Sequence, residues 1–218
     1  MIFSLGKSQI LSGTVNFPWC GSWVLSAMLD SRDPALIEGA PFALLVDNKT
    51  QMQGQVYRCV TVAERTRILC VPTGTSSLDA PCTPSAVGAS TQSQIATTLL
   101  AATGNALPPV FGPGPDPSIE SATLWLGTTR RRWLTERYNS VRFDPMSTPL
   151  LDAPDRATPT DHRLEDLSAQ ACTASWAFGD VDFWLLPGQI VQGMMRVRSS
   201  QVSLSQRPRI VTLMEFLP

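Results

Sequence analysis

Residues 13–62 read GTVNFPWCGSWVLSAMLDSRDPALIEGAPFALLVDNKTQMQGQVYRCVTV, and the spacing of their apolar side chains decides the fold. From Trp23 to Leu29 the apolar residues take odd positions: Trp23, Leu25, Ala27 and Leu29. From Met52 to Val62 they take even positions, Met52, Val56, Val60 and Val62, with Gly54 among them. A period of two belongs to an extended chain with one face on a core and the other in water. Ser31-Arg32-Asp33-Pro34 and Asp47-Asn48-Lys49 separate the runs. Proline sets φ, while Asn and Asp bond their own backbone and tolerate left-handed angles, so both segments are expected to turn tightly. Consecutive antiparallel strands punctuated by Gly13, Gly21, Gly39 and Gly54 are the pattern of a small barrel or sandwich.

Outward from this stretch, short strands are expected at Ser8–Ser12 and Arg67–Val71, with Cys59 and Cys70 facing each other on neighbouring strands. Residues 72–90, rich in Pro, Gly, Ser and Thr, read as a linker or long surface loop. The clearest helix runs from Thr91 to Thr103. Thr91 and Gln94 make a T-x-x-Q capping box, Ile95, Leu99 and Ala102 form a stripe, and Gly104 ends it. Leu107–Ser118 holds five prolines and is expected to be irregular. Ile119–Val141 is ambiguous: Ile119–Leu126 fits a helix turn or a strand, whereas Thr129–Tyr138 reads as helix with Trp133 and Arg137 on one face. Residues 142–160 read as loop. Thr160–Cys172 reads as a second helix, capped by Thr160 and lined by Leu164, Leu167 and Ala171. Ser175–Leu185 reads as a hairpin turning at Gly179-Asp180, and strands are expected over Met194–Leu204 and Arg209–Phe216.

The fold class expected is α+β, mainly β, with small antiparallel β-barrels and an inserted α/β subdomain. Three parts are expected: residues 1–75 as an N-terminal barrel, 76–185 as an α/β middle region with Pro-rich loops, and 186–218 as strands closing a barrel.

The chain has 218 residues, enough for one large or two small domains, and its 43% hydrophobic content is that of a globular protein. Only 16% of residues are charged, so much of the surface is expected to meet other protein. A net charge of −1 supplies no general pull toward nucleic acid or anionic membrane. The N-terminal residues lack the pattern of a signal peptide, and no apolar run is long enough to span a bilayer, so no membrane insertion is expected. Five cysteines are read as free thiols of a reducing compartment.

Chemical motifs are few. One His and no C-x-x-C pair argue against a metal site, and the phosphate-binding glycine motifs are absent, so no cofactor is expected. Cys20-Gly21-Ser22-Trp23 looks like the start of a papain-type peptidase signature, with His162 far downstream. The signature's second Cys is missing, no Asn follows His162, and the odd-position pattern favours a strand. A hydrolase using Cys20 or a serine with His162 remains an alternative, as does a β-barrel module binding oligosaccharide or nucleic acid. Arg130, Arg131 and Arg132 with Trp133 and Arg137 form the one basic cluster; it reads first as an interface anchor, then as a solvated helix face, then as a phosphate grip. The aromatic group Trp176, Phe178, Phe183 and Trp184 reads as packing rather than as a sugar platform.

The order of features resembles the baseplate or tail-hub proteins of tailed bacteriophages, the group that includes the hub of phage Mu and late-control proteins of contractile tails. Four pieces carry the resemblance: Cys20-Gly21-Ser22-Trp23 leading into Val24–Asp30; Ile37-Glu38-Gly39 through Gln53-Gly54-Gln55-Val56; the helix over Ser93–Gly104; and Leu164–Trp184 followed by Leu186-Pro187-Gly188. Gly179-Asp180-Val181-Asp182 departs from that group's Asp-Gly hairpin, and the Pro-rich middle is unlike it. The resemblance implies a structural virion protein of the tail tip or baseplate, assembled in the host cytoplasm. It implies a homotrimer whose barrels ring the tail channel, joining the tail tube or distal tail protein to a tip, spike or fibre protein. It brings no catalytic residue, and with the motifs and charge above no cofactor and no specific nucleic acid are expected.

Overall fold

The computed structural model describes residues 1–82, 86–87, 90–119, 122–123, 128–157, 162–178, 183–193 and 195–217. The first six strands are β1 (Phe3–Leu5), β2 (Ser8–Phe17), β3 (Val24–Leu29), β4 (Pro41–Val46), β5 (Lys49–Val62) and β6 (Arg65–Val71). They pair in the order β1-β4-β5-β6-β3-β2, and β1 also pairs with β2, which closes an antiparallel barrel. The odd-position run points inward as expected: Trp23, Leu25, Ala27 and Leu29 are all buried. Asp47 and Asn48, both at positive φ, form the tight β4–β5 turn that their side chains favour. At the β3–β4 connection Asp33 accepts hydrogen bonds from the Lys7 and Ala35 amides, which holds its carboxyl below the usual range.

The even-position run needs a correction. Met52 and Val56 are buried, but Val60 and Val62 are 43% and 70% exposed. The register shifts between Val56 and Arg58, where an extra residue enters β5, and a bulge of this kind turns the following side chains to the opposite face. The shift also sets Cys70 opposite Val56 and Cys59 opposite Ile68, so the two thiols are not cross-strand partners. Burial pushes the Cys70 thiol upward, consistent with an inert core position.

The middle of the chain contributes α1 (Gln92–Ala101), α2 (Arg130–Arg137), β7 (Val141–Phe143) and β8 (Pro149–Leu151). The last two lie within the stretch expected to be loop; they pair with each other, and Val110–Phe111 from the proline-rich segment runs parallel to β8. The capping box forms as expected: Thr91 Oγ1 accepts from the Gln94 amide, and Gln94 Oε1 accepts from the Thr91 amide at 3.0 Å. Replacing Thr91 by Ala is expected to lower stability by about 1 kcal/mol in urea unfolding. The middle segment is fastened to the barrel by Gly21 N–H to the Val141 carbonyl at 2.6 Å, Gln53 N–H to that of Pro145 at 2.9 Å, and Ser147 Oγ–H to that of Gln53 at 2.6 Å.

The chain then forms β9 (Leu164–Ser168), β10 (Thr173–Trp176), β11 (Gln189–Val191), β12 (Met195–Leu204) and β13 (Arg209–Phe216). The helix expected over Thr160–Cys172 is therefore not formed across its described part; β9 and β10 are a hairpin instead. A bulge between Leu164 and Asp166 explains the misreading. Leu164 lies opposite Trp176 and Leu167 opposite Ala174, so the two leucines share a face although three residues apart. That spacing imitates a helical stripe. The tip of the hairpin expected over Ser175–Leu185 lies outside the described residues, and its flanks part company: β10 pairs with β9 and β13, whereas Phe183–Leu186 joins no strand. Phe183 and Trp184 pack on the barrel, edge-on to Phe3 and Phe17, and Trp184 Nε1 donates to the Gln51 carbonyl at 2.8 Å.

The two closing strands, β12 and β13, match their expected positions. β12 pairs with Gly13–Phe17 of β2, so the order β2-β12-β13-β10-β9 continues directly from the barrel wall. One core of buried side chains runs through both halves and the middle segment. The fold is mainly β, with two helices among the described residues.

Candidate interaction surfaces

The arginine cluster is built by α2. Thr129 caps this helix by accepting from the Arg132 amide, and Trp133 and Leu134 face the core. Each arginine then meets its own chain. Arg130 Nη1 donates to the Ser77 carbonyl at 2.8 Å, and Arg131 forms a bidentate pair with Asp79 at 2.6 and 3.2 Å. That hydrogen bond holds the Asp79 carboxyl below its usual range. Arg132 reaches Glu136 at 2.7 Å, and Arg137 lies 4.6 Å from the Trp133 ring centroid, as their shared helix face predicts. The cluster thus fastens α2 to the 75–80 turn. Arg132, with a 72% exposed side chain, offers the most outward charge.

Beside α2 lies a groove of about 760 Å³, with Trp19, Phe111, Tyr138, Asp116, Asp155 and Arg196 among its walls. Its charged side chains are held by partners within the fold. Arg196 bonds Asp155 at 2.6 Å and Glu215 at 3.0 Å, and Arg198 bonds Glu215 at 2.7 Å. The Arg198 hydrogen bond, then that of Arg196, keeps the Glu215 carboxyl below its usual range. Trp19 sits 4.4 Å from the Arg198 guanidinium and 5.1 Å from that of Arg142. Asp116 accepts from the Ser93 amide and hydroxyl at the start of α1. Gly188, at φ +87°, lies so close to the buried Arg142 that a Cβ there would meet its guanidinium at 2.7 Å. These bonds brace the closing sheet against the middle segment.

The peptidase-like stretch has a different geometry from the one catalysis needs. Cys20 is exposed just before β3, its Sγ 3.7 Å from the Val141 carbonyl, and enters a strand rather than a helix. The cysteine signature instead needs its nucleophile at a helix N-terminus. His162 is buried ahead of β9. Among the described residues no group of three His, Cys, Asp or Glu side chains could hold a metal ion. Of the aromatic group, Trp176, Phe183 and Trp184 are buried, so they form core and not an open platform.

The surface that sequence reasoning missed is the outer face of the long sheet. Residues directly opposite on neighbouring strands share a face. Register therefore links Arg58, Leu69, Ser26, Thr14, Ser203 and Arg209 in one row from β5 to β13. A second row joins Val60, Arg67, Met28 and Ser12. The row ends carry the contrast. At β5 and β6, Arg58, Arg65 and Arg67 surround the exposed Val60 and Val62 around a depression of about 750 Å³. At β9, Glu165 and Asp166 are exposed, Asp166 opposite Ser175 on the outer face, while Leu167 lies opposite Ala174 on the other face. The β5 bulge, which places Val60 and Val62 outside, leaves no local mark in the sequence.

No known family profile matches this chain, and no curated protein does. Solved structures do match along nearly its whole length. The 43 kDa tail protein of prophage MuSo2 from Shewanella oneidensis aligns with a TM-score of 0.67 at 10% identity, covering 99% of this chain and 97% of that one. A tail protein from Neisseria meningitidis aligns with a TM-score of 0.67 at 12% identity, covering 98% and 95%. The E. coli c3393 protein, described as a type VI secretion component structurally similar to phage T4 tail proteins, aligns at 0.67 and 11%, covering 99% and 77%. The chain has the fold of phage tail proteins, in agreement with the likeness read from its glycines and tryptophans.

Proposed function

We propose that this chain is a structural subunit of a phage tail, acting at the hub of the tail tip or baseplate. The observation that supports the reading is the closed barrel whose wall runs on into a second sheet. This architecture aligns with two tail proteins over at least 95% of each of their chains. In this reading copies of the chain form a homotrimeric ring around the tail channel, linking the tail tube or distal tail protein to a tip, spike or fibre protein. Residues 1–75 serve as the hub barrel, 76–185 as the middle region, and 186–218 as strands completing the ring wall. The role is one of assembly rather than catalysis, with the virion as its place of work after assembly in the host cytoplasm. Arg132 and its neighbours on α2 are the candidate contacts to another tail protein.

Sedimentation and electron microscopy of the purified chain, alone and with the tail-tube protein of the same phage, test this. The expected result is a particle of three times the chain mass, or a ring, that binds the tube protein. A strictly monomeric chain with no affinity for any tail protein would overturn it.

A further inference from the structure

Among the described residues, the sheet path β1-β4-β5-β6-β3-β2-β12-β13-β10-β9 contains two open strand edges. The first is in β5. Its partner β4 pairs only as far as Gln55, and two further bonds join Val56 to the 39–40 segment. Beyond them, among the described residues, no backbone hydrogen bond reaches Tyr57–Val62 from the side away from β6. The second edge is β9, which among the described residues pairs with β10 alone. Unpaired edges of this kind are templates for strand addition, and isolated proteins ordinarily blunt or cover them.

The two edges differ in charge. The β5 edge carries Arg58, with Arg65 and Arg67 on the adjacent strand and Glu64 in the turn. None of these three arginines makes an ion pair among the described residues. The β9 edge reads Leu-Glu-Asp-Leu-Ser: Glu165 stands 3.9 Å from Arg209, and among the described residues Asp166 makes no ion pair. Pairing β9 with a second β9 would bring Asp166 of each near the other, which like charge disfavours. Pairing it with β5 of another copy brings carboxylates to guanidiniums. The same contact covers part of Val60 and Val62, which the bulge exposes. Seven strand steps separate the edges along the sheet path, so the contact is between molecules.

We infer that copies of this chain join head to tail, the Tyr57–Val62 edge of one pairing as a strand with the Leu164–Ser168 edge of the next. This rests on the reading of the chain as an assembling tail protein and names the faces that meet. The interface is heterologous: each copy offers one donor and one acceptor edge, so the sheet continues from copy to copy and closes into a ring where the rotation permits.

The test is a charge exchange followed by native mass spectrometry and sedimentation. Arg58→Glu with Arg67→Glu, or Asp166→Arg with Glu165→Arg, is expected to raise the concentration at which the oligomer dissociates by about tenfold or more. Both sets in one chain are expected to restore much of the association. All four positions are exposed, and circular dichroism checks that the variants fold. Hydrogen exchange of the unaltered chain is a second readout: amides of 57–62 and 164–168 are expected to be protected in the oligomer and to exchange faster on dilution. An oligomer unchanged by either charge set, or exchange at both edges that is unaltered by dilution, overturns the proposal. So does salt-sensitive DNA binding lost in the Arg58→Glu, Arg67→Glu variant without any change in oligomeric state. A monomer that still binds tail proteins overturns this contact and leaves the tail assignment standing, whereas a monomer that binds none overturns both.

Discussion

Replacing Trp23 by Ala is expected to lower the unfolding free energy by about 3–5 kcal/mol, the cost of emptying a large buried aromatic site. At about 2–4 °C per kcal/mol for a chain of this size, the melting temperature falls by roughly 10 °C. Trp23 is 1% exposed and meets Phe42 at 90° with ring centroids 6.2 Å apart. Gly54 stands beneath it, where an added Cβ would lie 2.6 Å from Cη2 of the indole and collide with the Val71 carbonyl. The neighbouring strand is therefore shaped to admit the ring. The indole also bridges two parts of the molecule, because its Nε1–H donates to the Asp144 carbonyl at 2.8 Å. Removing the ring thus opens a cavity and strips a partner from the middle segment. Trp23→Phe separates the effects: it keeps most of the volume and loses the hydrogen bond, for a smaller expected cost of about 1–3 kcal/mol. Guanidinium unfolding followed by far-ultraviolet dichroism measures both. A Trp23→Ala chain as stable as the parent would mean that the barrel does not close around this side chain.

The second large effect is expected in the closing sheet. Trp176 is fully buried among Ile210, Thr212 and Ala174, and its Nε1–H donates to Thr212 Oγ1 at 2.8 Å. Trp176→Ala is expected to cost about 3–5 kcal/mol as well. Because β10 separates β13 from β9, the loss falls first on the β9 edge. Faster hydrogen exchange across 164–176, preceding that of the barrel strands, is the expected signature. Simultaneous exposure of both regions would instead mean that barrel and closing sheet unfold as one unit.

These two tryptophans illustrate what could be read before any coordinates. Trp23 was legible because the three apolar residues after it repeat at a period of two, and that period is a property of one extended strand. The Asp47-Asn48 turn and the Thr91–Gln94 capping box were legible for a similar reason: each is set by the conformational preference or hydrogen-bonding reach of residues within four positions. Trp176 was read as one arm of a hairpin with Phe183 and Trp184. Its strand partners lie instead at 164–168 and 209–216, and nothing near residue 176 announces a partner at Ile210.

The bulges were hidden more deeply. In β5 one extra residue turned an inward-reading alternation outward and set Val60 and Val62 on the surface. In β9 an extra residue made a strand imitate a helical stripe. The arginines of α2 were visible as a cluster, but their pairing with Ser77, Asp79 and Glu136 depends on how the helix meets the preceding turn.

The sequence by itself determined the strand-rich barrel, its turns, the first helix and the last two strands. Those features follow from side-chain periodicity and backbone preference over a few residues. Only the tertiary structure decided that β2 bonds to β12, some 185 positions later, and so joins the barrel to the closing sheet. It alone decided which edges stay open and which charges remain unpaired. Hydrogen-bond register between distant segments is a choice made in three dimensions, when side chains from both strands compete for the same core, and it writes no local pattern for a reader to find.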